Sequence, residues 1–556
     1  MEQNSEEYKA ELQRRLEVLK DHLEKGKIKF APHLFDETQK SLMAVKYGVD
    51  GKIDLSTVDA RVRSLALAVT AMKDREDMKN AITLKEIQTD YFKWLENNFG
   101  EYYQKMVERN LTPHDAGKAI SLNQESVDYT VSIIPKFMEV ITEFWNNLID
   151  PSYAHLEDMH ILKAVFGGDL FPSAYENIAS KCGLYIDTII LPDPFLRSKA
   201  LWNRWSKQKQ TYYFIKHALN ILQYKELALA DIDPPIIAIL PEQMIINDDE
   251  QERVKYFAER DAIVHSMRLF GQTFSQFDEV MAFVEPYDSP EKIMSIISDP
   301  SRILFDTEWT GTIEKQIHRA INEYQGEILG TTHAGKVIAM QGFGRMFQAN
   351  DLLLKSLRLH GTPLIDAPTS WKYFQWKLQY DAERMKSDNI KDLHIVRSLQ
   401  ELAEGKMRWI GKIPSAALIE MRKTDAIQDI RHIISSGVRE ISELKPEDFQ
   451  ASSDKIVNNI QAAFNKHQDQ LKELSKKKWK FAGSDIGSWF VVGSLAVTAA
   501  ATGQPIWGLA AIAADQLLDA PKLRDIPESI KKLAKESQSI KQSPVGMLFN
   551  YAHKKT

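Results

Sequence analysis

The sequence has few cysteines, little excess charge and no long apolar segment at its start. Cys182 is the single cysteine in 556 residues, which excludes disulfide bonds within the chain and zinc sites built from cysteines. We therefore expect a reducing compartment, the cytoplasm. The net charge of −6 is small, so nucleic acid would be attracted by local basic patches only. The first residues, Met-Glu-Gln-Asn-Ser-Glu-Glu, predict no signal peptide.

Length and composition indicate an ordered protein with several domains. Domains of about 100–200 residues leave room for three or four, and 44% hydrophobic with 27% charged residues argues against wholesale disorder. Helical periodicity prevails, so we predict a mainly α fold with a small central α/β domain that contains a parallel sheet. The predicted domains are a helical domain at 1–175, the α/β domain at 176–370 with a helical insertion at about 250–345, a helical domain at 371–480, and an apolar helical hairpin with a basic tail at 481–556.

A strand–helix–strand pattern between Leu184 and Glu242 predicts the parallel sheet. Its two apolar runs end alike, in Ile-Ile-Leu-Pro-Asp at 189–193 and Ile-Ala-Ile-Leu-Pro-Glu at 237–242. Continuous apolar runs are typical of parallel strands buried on both faces. Ligands of open α/β sheets bind outside the carboxyl ends of the strands, so acids at these ends are candidate site residues. Asp187 lies inside the first run, where an acid is costly unless it is paired or metal-bound.

Four acidic segments together resemble the PIN-domain nucleases. They are Tyr-Ile-Asp-Thr-Ile-Ile-Leu around Asp187, Ile-Leu-Pro-Glu-Gln-Met around Glu242, Asn-Asp-Leu-Leu-Leu around Asp351, and His-Gly-Thr-Pro-Leu-Ile-Asp ending at Asp366. That family has an Asp in its first strand, a Glu after a later strand, an Asp that opens a helix, and a final Asp after a short strand. The resemblance spans about 186–370, and the whole chain resembles large bacterial proteins that carry such a region.

The resemblance implies a PIN-like fold for the α/β domain and a metal-dependent nuclease activity. Asp187, Glu242, Asp351 and Asp366 would be catalytic residues and metal ligands at once. Converging carboxylates are stable together only with a cation between them, and oxygen ligands suit Mg²⁺ or Mn²⁺. Such ions would orient a water molecule for attack on a phosphodiester.

Basic and aromatic side chains near these segments are candidate contacts for RNA, the expected substrate. Lysine and arginine would bind phosphates, and tryptophan would stack on unpaired bases. The candidates are Lys199, Trp202, Arg204, Lys207, Lys209, Trp371 and Lys372. The alternative is that these aromatic residues pack between helices, that the lysines form a solvated face, and that the four acids are ordinary residues at strand ends.

One further segment matches the phosphate-binding loop in its glycines and lysine. Gly330-Thr-Thr-His-Ala-Gly-Lys-Val337 has the spacing, but Val337 stands where Ser or Thr must hold magnesium. The apolar run before it, at 326–329, is also too short for the strand that such a loop requires. We prefer a loop that leads into a helix.

The most apolar stretch predicts a hairpin of two helices near the end of the sequence. Its arms, at 489–501 and 506–518, flank a Gly-Gln-Pro turn and contain Trp489, Phe490 and Trp507. Each arm has at most about 15 apolar residues, whereas about 20 are needed to span a bilayer. A buried hairpin is the main interpretation, and a membrane-surface hairpin next to the basic tail is the alternative.

Three hypotheses about function follow. The first is a metal-dependent nuclease, for which a toxin-like or phage-defence role would fit a catalytic domain joined to a partner-responsive helical body. The second is a non-enzymatic protein that binds a protein partner through its helical domains. The third is a membrane-active effector that acts through the apolar hairpin.

Overall fold

A computed structural model describes most of the chain, which forms two compact units. The first unit includes the residues up to Leu84, and the second begins at Lys85. Helix is the main secondary structure in both. The described residues are 6–29, 32–169, 177–184, 186–245, 247–306, 309–324, 326–385, 408–410, 413–424, 426–430, 465, 469–474, 476–477 and 479–492.

The first unit is helical and has its own core. Its helices are α1 (Glu6–Glu24), α2 (Pro32–Met43) and α3 (Ala60–Ala81). Asp59 caps α3 by accepting a hydrogen bond of 2.9 Å from the backbone of Val62. The core is formed by apolar residues at helical spacing, among them Leu12, Leu16, Leu19, Val62, Ala66 and Val69. Arg14 joins α1 to α3 through an ion pair of 3.1 Å with Asp74.

The second unit contains a buried parallel sheet of four strands. The strands are β1 (Lys163–Phe166), β2 (Thr188–Leu191), β3 (Ile237–Ile239) and β4 (Thr362–Leu364). They are arranged in the order β3-β2-β1-β4. The prediction of a mainly helical chain with a small parallel sheet is thus confirmed. The sequence predicts β2, β3 and β4 but not β1, which lies inside the region predicted as helical at 1–175.

The strand order places a topological switch point between β1 and β4. From the central strand β1 the chain adds β2 and β3 on one side and then β4 on the other. Val165 of β1 is paired with Ile190 of β2 and with Pro363 of β4. Proline cannot donate a backbone hydrogen bond, which suits the edge position of β4. Ligands of open α/β sheets bind at the carboxyl side of such a switch point.

Helices make up most of the second unit, and some of them pack against the strands or fix the segments that follow them. They are α4 (Leu84–Glu108), α5 (Pro113–Ser121), α6 (Gln124–Asp158), α7 (Ile178–Cys182), α8 (Pro194–Arg197), α9 (Lys207–Leu222), α10 (Lys225–Leu229), α11 (Asp248–Phe270), α12 (Phe277–Val284), α13 (Pro290–Met294), α14 (Ile313–Tyr324), α15 (Ala334–Arg358), α16 (Pro368–Met385) and α17 (Ser415–Lys423). Helix α15 packs against β1 and β4. The ring of Phe137 on α6 lies 4.7 Å from the rings of Phe195 and Phe214, which anchors α8 after β2.

In the sequence, helices α11 to α14 come between β3 and α15, in the stretch predicted as a helical insertion. They share a hydrophobic core with the start of α15. The buried members of this core include Val280, Val284, Ile293, Phe305, Ile317 and Val337. Residues far apart in sequence thereby hold α15 in place over the sheet.

A short strand occupies the start of the predicted apolar hairpin, and three more precede it. β5 (Arg408–Ile410) pairs with β8 (Phe490–Val492), and β6 (Lys480–Phe481) pairs with β7 (Ser484–Asp485). Trp489 is buried, with its ring 6.4 Å from that of Phe481. The predicted helix is therefore wrong at 490–492, where the β-favouring residues Phe-Val-Val pair with a distant strand. The rest of the predicted hairpin, including Trp507, lies outside the described residues.

No helix in the described part of the chain combines the length and the apolar character that crossing a bilayer requires.

Candidate functional site

An acidic residue follows the carboxyl end of every strand of the parallel sheet. Asp169 follows β1, Asp193 follows β2, Glu242 follows β3 and Asp366 follows β4. Because the carboxyl ends of parallel strands lie on the same side of a sheet, the topology brings these segments together. We call this side the carboxyl edge, and it consists of residues 167–169, 192–197, 240–242 and 365–366.

Helix α15 covers the carboxyl edge with a row of polar side chains. The row consists of Arg345, Gln348, Asp351 and Lys355. Side chains three or four residues apart lie along one face of a helix. Gln348 accepts a hydrogen bond of 2.7 Å from Arg197 Nη2, and Lys355 Nζ donates one of 2.6 Å to the carbonyl of Leu240. The sequence predicts a helix that opens at Asp351, whereas α15 runs through this residue without a break.

Glu242 is the most deeply buried of the four predicted acids, at 2% exposure. Its Oε1 lies 3.4 Å from Arg197 Nη1 and 3.9 Å from Lys355 Nζ. Its Oε2 has no hydrogen-bond partner in the described part of the chain. A buried oxygen without a donor is destabilising, so the chain itself leaves Glu242 incompletely satisfied.

Asp351 lies close enough to Glu242 for the two charges to interact. Burial raises the pKa of Asp351 to about 7, with the charge of Glu242 as the second cause. Arg197 and Lys355 act in the opposite direction. Burial also lowers the pKa of Lys355. Two buried carboxylates that interact in this way are stabilised by nearby positive charge, which Arg197 and Lys355 supply here.

Asp169 holds the position nearest the switch point, and the sequence patterns did not identify it. Its Oδ1 lies 3.3 Å from Arg345 Nη1 and accepts a hydrogen bond from the hydroxyl of Ser370. Arg345 Nη2 also pairs with Asp306 at 2.9 Å. Burial raises the pKa of Asp169, and the charges of Arg345 and Arg197 oppose the rise. Arg197 is therefore within electrostatic range of Asp169 as well as of the two buried acids.

Asp193 has a positioning role at the carboxyl edge. It is fully buried and accepts four hydrogen bonds. The donors are Tyr91 Oη, Trp145 Nε1 and the backbone amides of Phe195 and Leu196. Burial raises the pKa of Asp193 to about 6, against the effect of these bonds. Asp193 thus caps α8, whose last residue is Arg197, and fixes the arginine at the edge.

Asp366 follows β4 as predicted, but its ion-pair partner is not one of the cations that contact Glu242. Its carboxylate lies 2.9 Å from Lys181 Nζ, and its side chain is 20% exposed. Its ion pair links the segment after β4 to α7.

Asp187 lies at the opposite, amino edge of the sheet, which corrects the prediction that four acids converge. Strand β2 begins at Thr188, so Asp187 precedes the strand and is not inside it. Its Oδ1 lies 3.1 Å from Arg422 Nη1, and its Oδ2 accepts a hydrogen bond of 2.9 Å from the backbone of Leu162. The acid in the apolar run is therefore satisfied by an ion pair and a strand-end hydrogen bond.

The tryptophans predicted to stack on bases are buried in the protein. Trp202 packs against Trp205 and Phe214, and Trp371 packs against Phe374. Their burial corrects the proposed stacking role, because the flat faces are occupied by protein side chains. Among the predicted cations, Lys207 pairs with Asp128, Lys209 with Glu327, and Lys372 lies over the ring of Trp376. Lys199 and Arg204 are exposed.

The segment that matches a phosphate-binding loop is a loop leading into a helix. His333 caps α15 by accepting a hydrogen bond from the backbone of Lys336. The ammonium of Lys336 pairs with Glu285 at 2.7 Å. A Cβ at Gly335 would lie 2.5 Å from the carbonyl oxygen of Val284, so close helix packing accounts for this glycine.

Among the described residues, the acids of the carboxyl edge and Asp351 do not form a group of three possible ligands, and Glu242 and Asp351 are a pair whose charges interact. In the described part of the chain, the group of three possible ligands within 4.8 Å of one another is Glu291, Glu314 and His318. These three are fully on the surface, on α13 and α14, where acidic groups are common without an ion. Mg²⁺ is commonly held by one or two carboxylates together with water and substrate phosphates. The Glu242–Asp351 pair and its unpartnered oxygen fit that mode of binding.

The sequence patterns identified two residues of this site and missed its cations. The candidates Glu242 and Asp351 interact in the structure. The candidates did not include the cations Arg197, Arg345 and Lys355, nor the acid Asp169. The apolar run Ala164-Val165-Phe166 before Gly-Gly-Asp169 is the signal that could have located β1 and its acid. Comparison with known proteins gives no family for the site, since no protein-family model, curated protein or solved structure matches the chain.

Proposed function

We propose that the chain is a metal-dependent phosphodiesterase that cleaves RNA, with its site at the carboxyl edge. The observation that carries the proposal is the buried pair of Glu242 and Asp351, in which one oxygen has no hydrogen-bond partner among the described residues. The pair lies on the side of the sheet where open α/β folds bind their ligands.

Glu242 and Asp351 would hold the ion, and oxygen ligands favour Mg²⁺ or Mn²⁺. The bound ion would supply an activated water and neutralise charge on the departing oxygen. Arg197 and Arg345 are the guanidinium groups of the edge, and guanidinium binds phosphate in a planar, two-point geometry. Lys199 and Arg204, exposed just after α8, would bind the phosphates of the flanking chain.

The competing interpretation is a structural ion cluster. Arg197 and Lys355 already balance the charges of Glu242 and Asp351, and all four side chains are buried. Buried ion pairs often contribute little net stability and no activity. The two interpretations differ in whether a divalent ion binds the pair and whether the pair is needed for cleavage.

The test is cleavage of a fluorescently labelled single-stranded RNA in the presence of Mn²⁺. We expect Glu242→Gln and Asp351→Asn each to lower the rate by at least about 100-fold, because losing even a residue that supports a metal ligand costs about 10–100-fold. Asp187→Asn, at the amino edge, should keep the rate within a few fold of wild type. Cleavage that persists without a divalent ion, or that survives Glu242→Gln in a folded variant, rules out the proposed site. If the wild type cleaves nothing, the ion-cluster interpretation is preferred.

A further inference from the structure

Arg197 is the basic residue that interacts with all three acids around the proposed site. Its Nη1 is 3.4 Å from Glu242, and its charge opposes the rise in the pKa of both Asp351 and Asp169. Its side chain is almost fully buried. A divalent ion bound by these acids would therefore lie close to the guanidinium of Arg197 and be repelled by it.

The guanidinium of Arg197 makes few hydrogen bonds for a buried group. Its Nη2 donates a hydrogen bond of 2.7 Å to Gln348, and its Nη1 lies 3.4 Å from Glu242. Its Nε has no hydrogen-bond partner in the described part of the chain. The strongest arginine–carboxylate pairs have two short parallel bonds, so charge, more than directed hydrogen bonds, holds Arg197 near Glu242.

Cations of the chain already balance the acids around the proposed site. Glu242 and Asp351 are offset by Arg197 and Lys355, all of them buried, and Asp169 is paired with Arg345. A divalent ion added to this group would leave an uncompensated positive charge in a buried place, which is strongly unfavourable. An ion and Arg197 must therefore compete for Glu242.

We propose that Arg197 is an internal cation that occupies the ion's place in the resting chain, and that it leaves Glu242 when the ion binds. This inference rests on the proposed function and adds a means of control to it. The guanidinium that leaves Glu242 has phosphate as its natural partner. Substrate phosphate and metal ion would then bind cooperatively, because each removes the competitor of the other.

The test compares Mn²⁺ binding to the full chain by isothermal titration calorimetry, without RNA. We expect Arg197→Gln to bind Mn²⁺ at least about tenfold more tightly than wild type, since the competing charge is gone. The matched control is Arg358→Gln on α15, which removes an arginine paired with Glu157 and should keep the wild-type affinity. Equal or weaker binding by Arg197→Gln overturns the inference but not the proposed function. If neither wild type nor variant binds Mn²⁺, both are overturned.

A second measurement uses the wild type and does not depend on a variant that folds. Phenylglyoxal modifies accessible guanidinium groups, and peptide mass spectrometry locates the modified residue. We expect Arg197 to be protected without metal and to become modified when saturating Mn²⁺ is added, with Arg358 unchanged. An Arg197 that stays protected while Mn²⁺ is bound contradicts the displacement.

Discussion

Replacing Asp351 by Asn removes one of two adjacent buried carboxylates and keeps the shape of the side chain. Asp351 is 6% exposed. Burial, together with the charge of Glu242, raises its pKa from the ordinary value of 3.8 to about 7. The folded chain therefore retains a proton that the unfolded chain has already lost at intermediate pH.

The sign and size of the effect follow from this difference. The contribution of Asp351 to stability is fully present below about pH 4 and is lost as the pH rises towards 7. The loss is about 1.4 kcal/mol per pH unit in the middle of this window and is smaller close to the pKa, hence about 2 kcal/mol between pH 5 and pH 7. From about pH 8 upwards both states are ionised, and the contribution no longer changes. The Asp351→Asn variant should lack this pH-dependent loss.

The assay is urea unfolding at several pH values between 5 and 8, followed by tryptophan fluorescence. The tryptophans of the described residues lie between Trp94 and Trp489, within the second unit, so their signal reports on the unit that contains the site. We expect the free energy of unfolding of the wild type to fall with pH relative to Asp351→Asn. The control, Asp249→Asn at an exposed acid, should follow the wild type. Parallel curves for wild type and Asp351→Asn would refute the raised pKa of Asp351.

Two further predictions concern the parts of the fold that support the site. Asp193→Ala should lower the free energy of unfolding by about 3 kcal/mol, because buried donors including Tyr91 and Trp145 lose their acceptor; an unchanged urea midpoint would contradict this. Gly335→Ala should destabilise by about 1–3 kcal/mol, since its Cβ would lie 2.5 Å from a carbonyl oxygen. Gly344→Ala, in the same helix with nothing within 4 Å, should stabilise by about 0.5–1 kcal/mol. Calorimetry on both variants checks the contrast, and equal effects would refute the packing argument.

The sequence identified the strands that have a plain apolar pattern. β2, β3 and β4 were predicted in this way, and so was the position of Glu242 after β3. β1 was not predicted, because it begins with a lysine and follows a long helix. The ammonium of Lys163 is buried and donates a hydrogen bond of 2.5 Å to the carbonyl of Leu156 near the end of α6. A lysine that is satisfied by the preceding helix shortens the apolar run of β1 to three residues, so the strand is easily taken for the end of the helical region.

The errors at Asp187 and Asp351 have a common cause, which is a partner far away in sequence. Asp187 is neutralised by Arg422, and the sequence does not indicate that the two meet. Asn350 and Asp351 resemble a helix cap, but the Asn350 amide donates a hydrogen bond of 2.7 Å to Asp261 on α11. The capping side chain is used for tertiary contact, so the helix continues through it. Local patterns of polar residues cannot distinguish these cases.

Asp261, in the same unit as Glu242, has the contacts that a buried acid makes in a structural ion cluster. Asp261 is also fully buried, yet Lys377 and Arg384 lie within 3.1 Å of its two oxygens, and Asn350 donates a hydrogen bond to it. That carboxylate is satisfied by the chain alone, as expected of a structural ion cluster. Glu242 is equally buried, but one oxygen has no donor among the described residues and its nearest cation is 3.4 Å away. Native chains rarely leave such groups unpaired without a reason. The difference favours a ligand at the carboxyl edge, and Mn²⁺ binding to wild type and Glu242→Gln is the direct way to decide it.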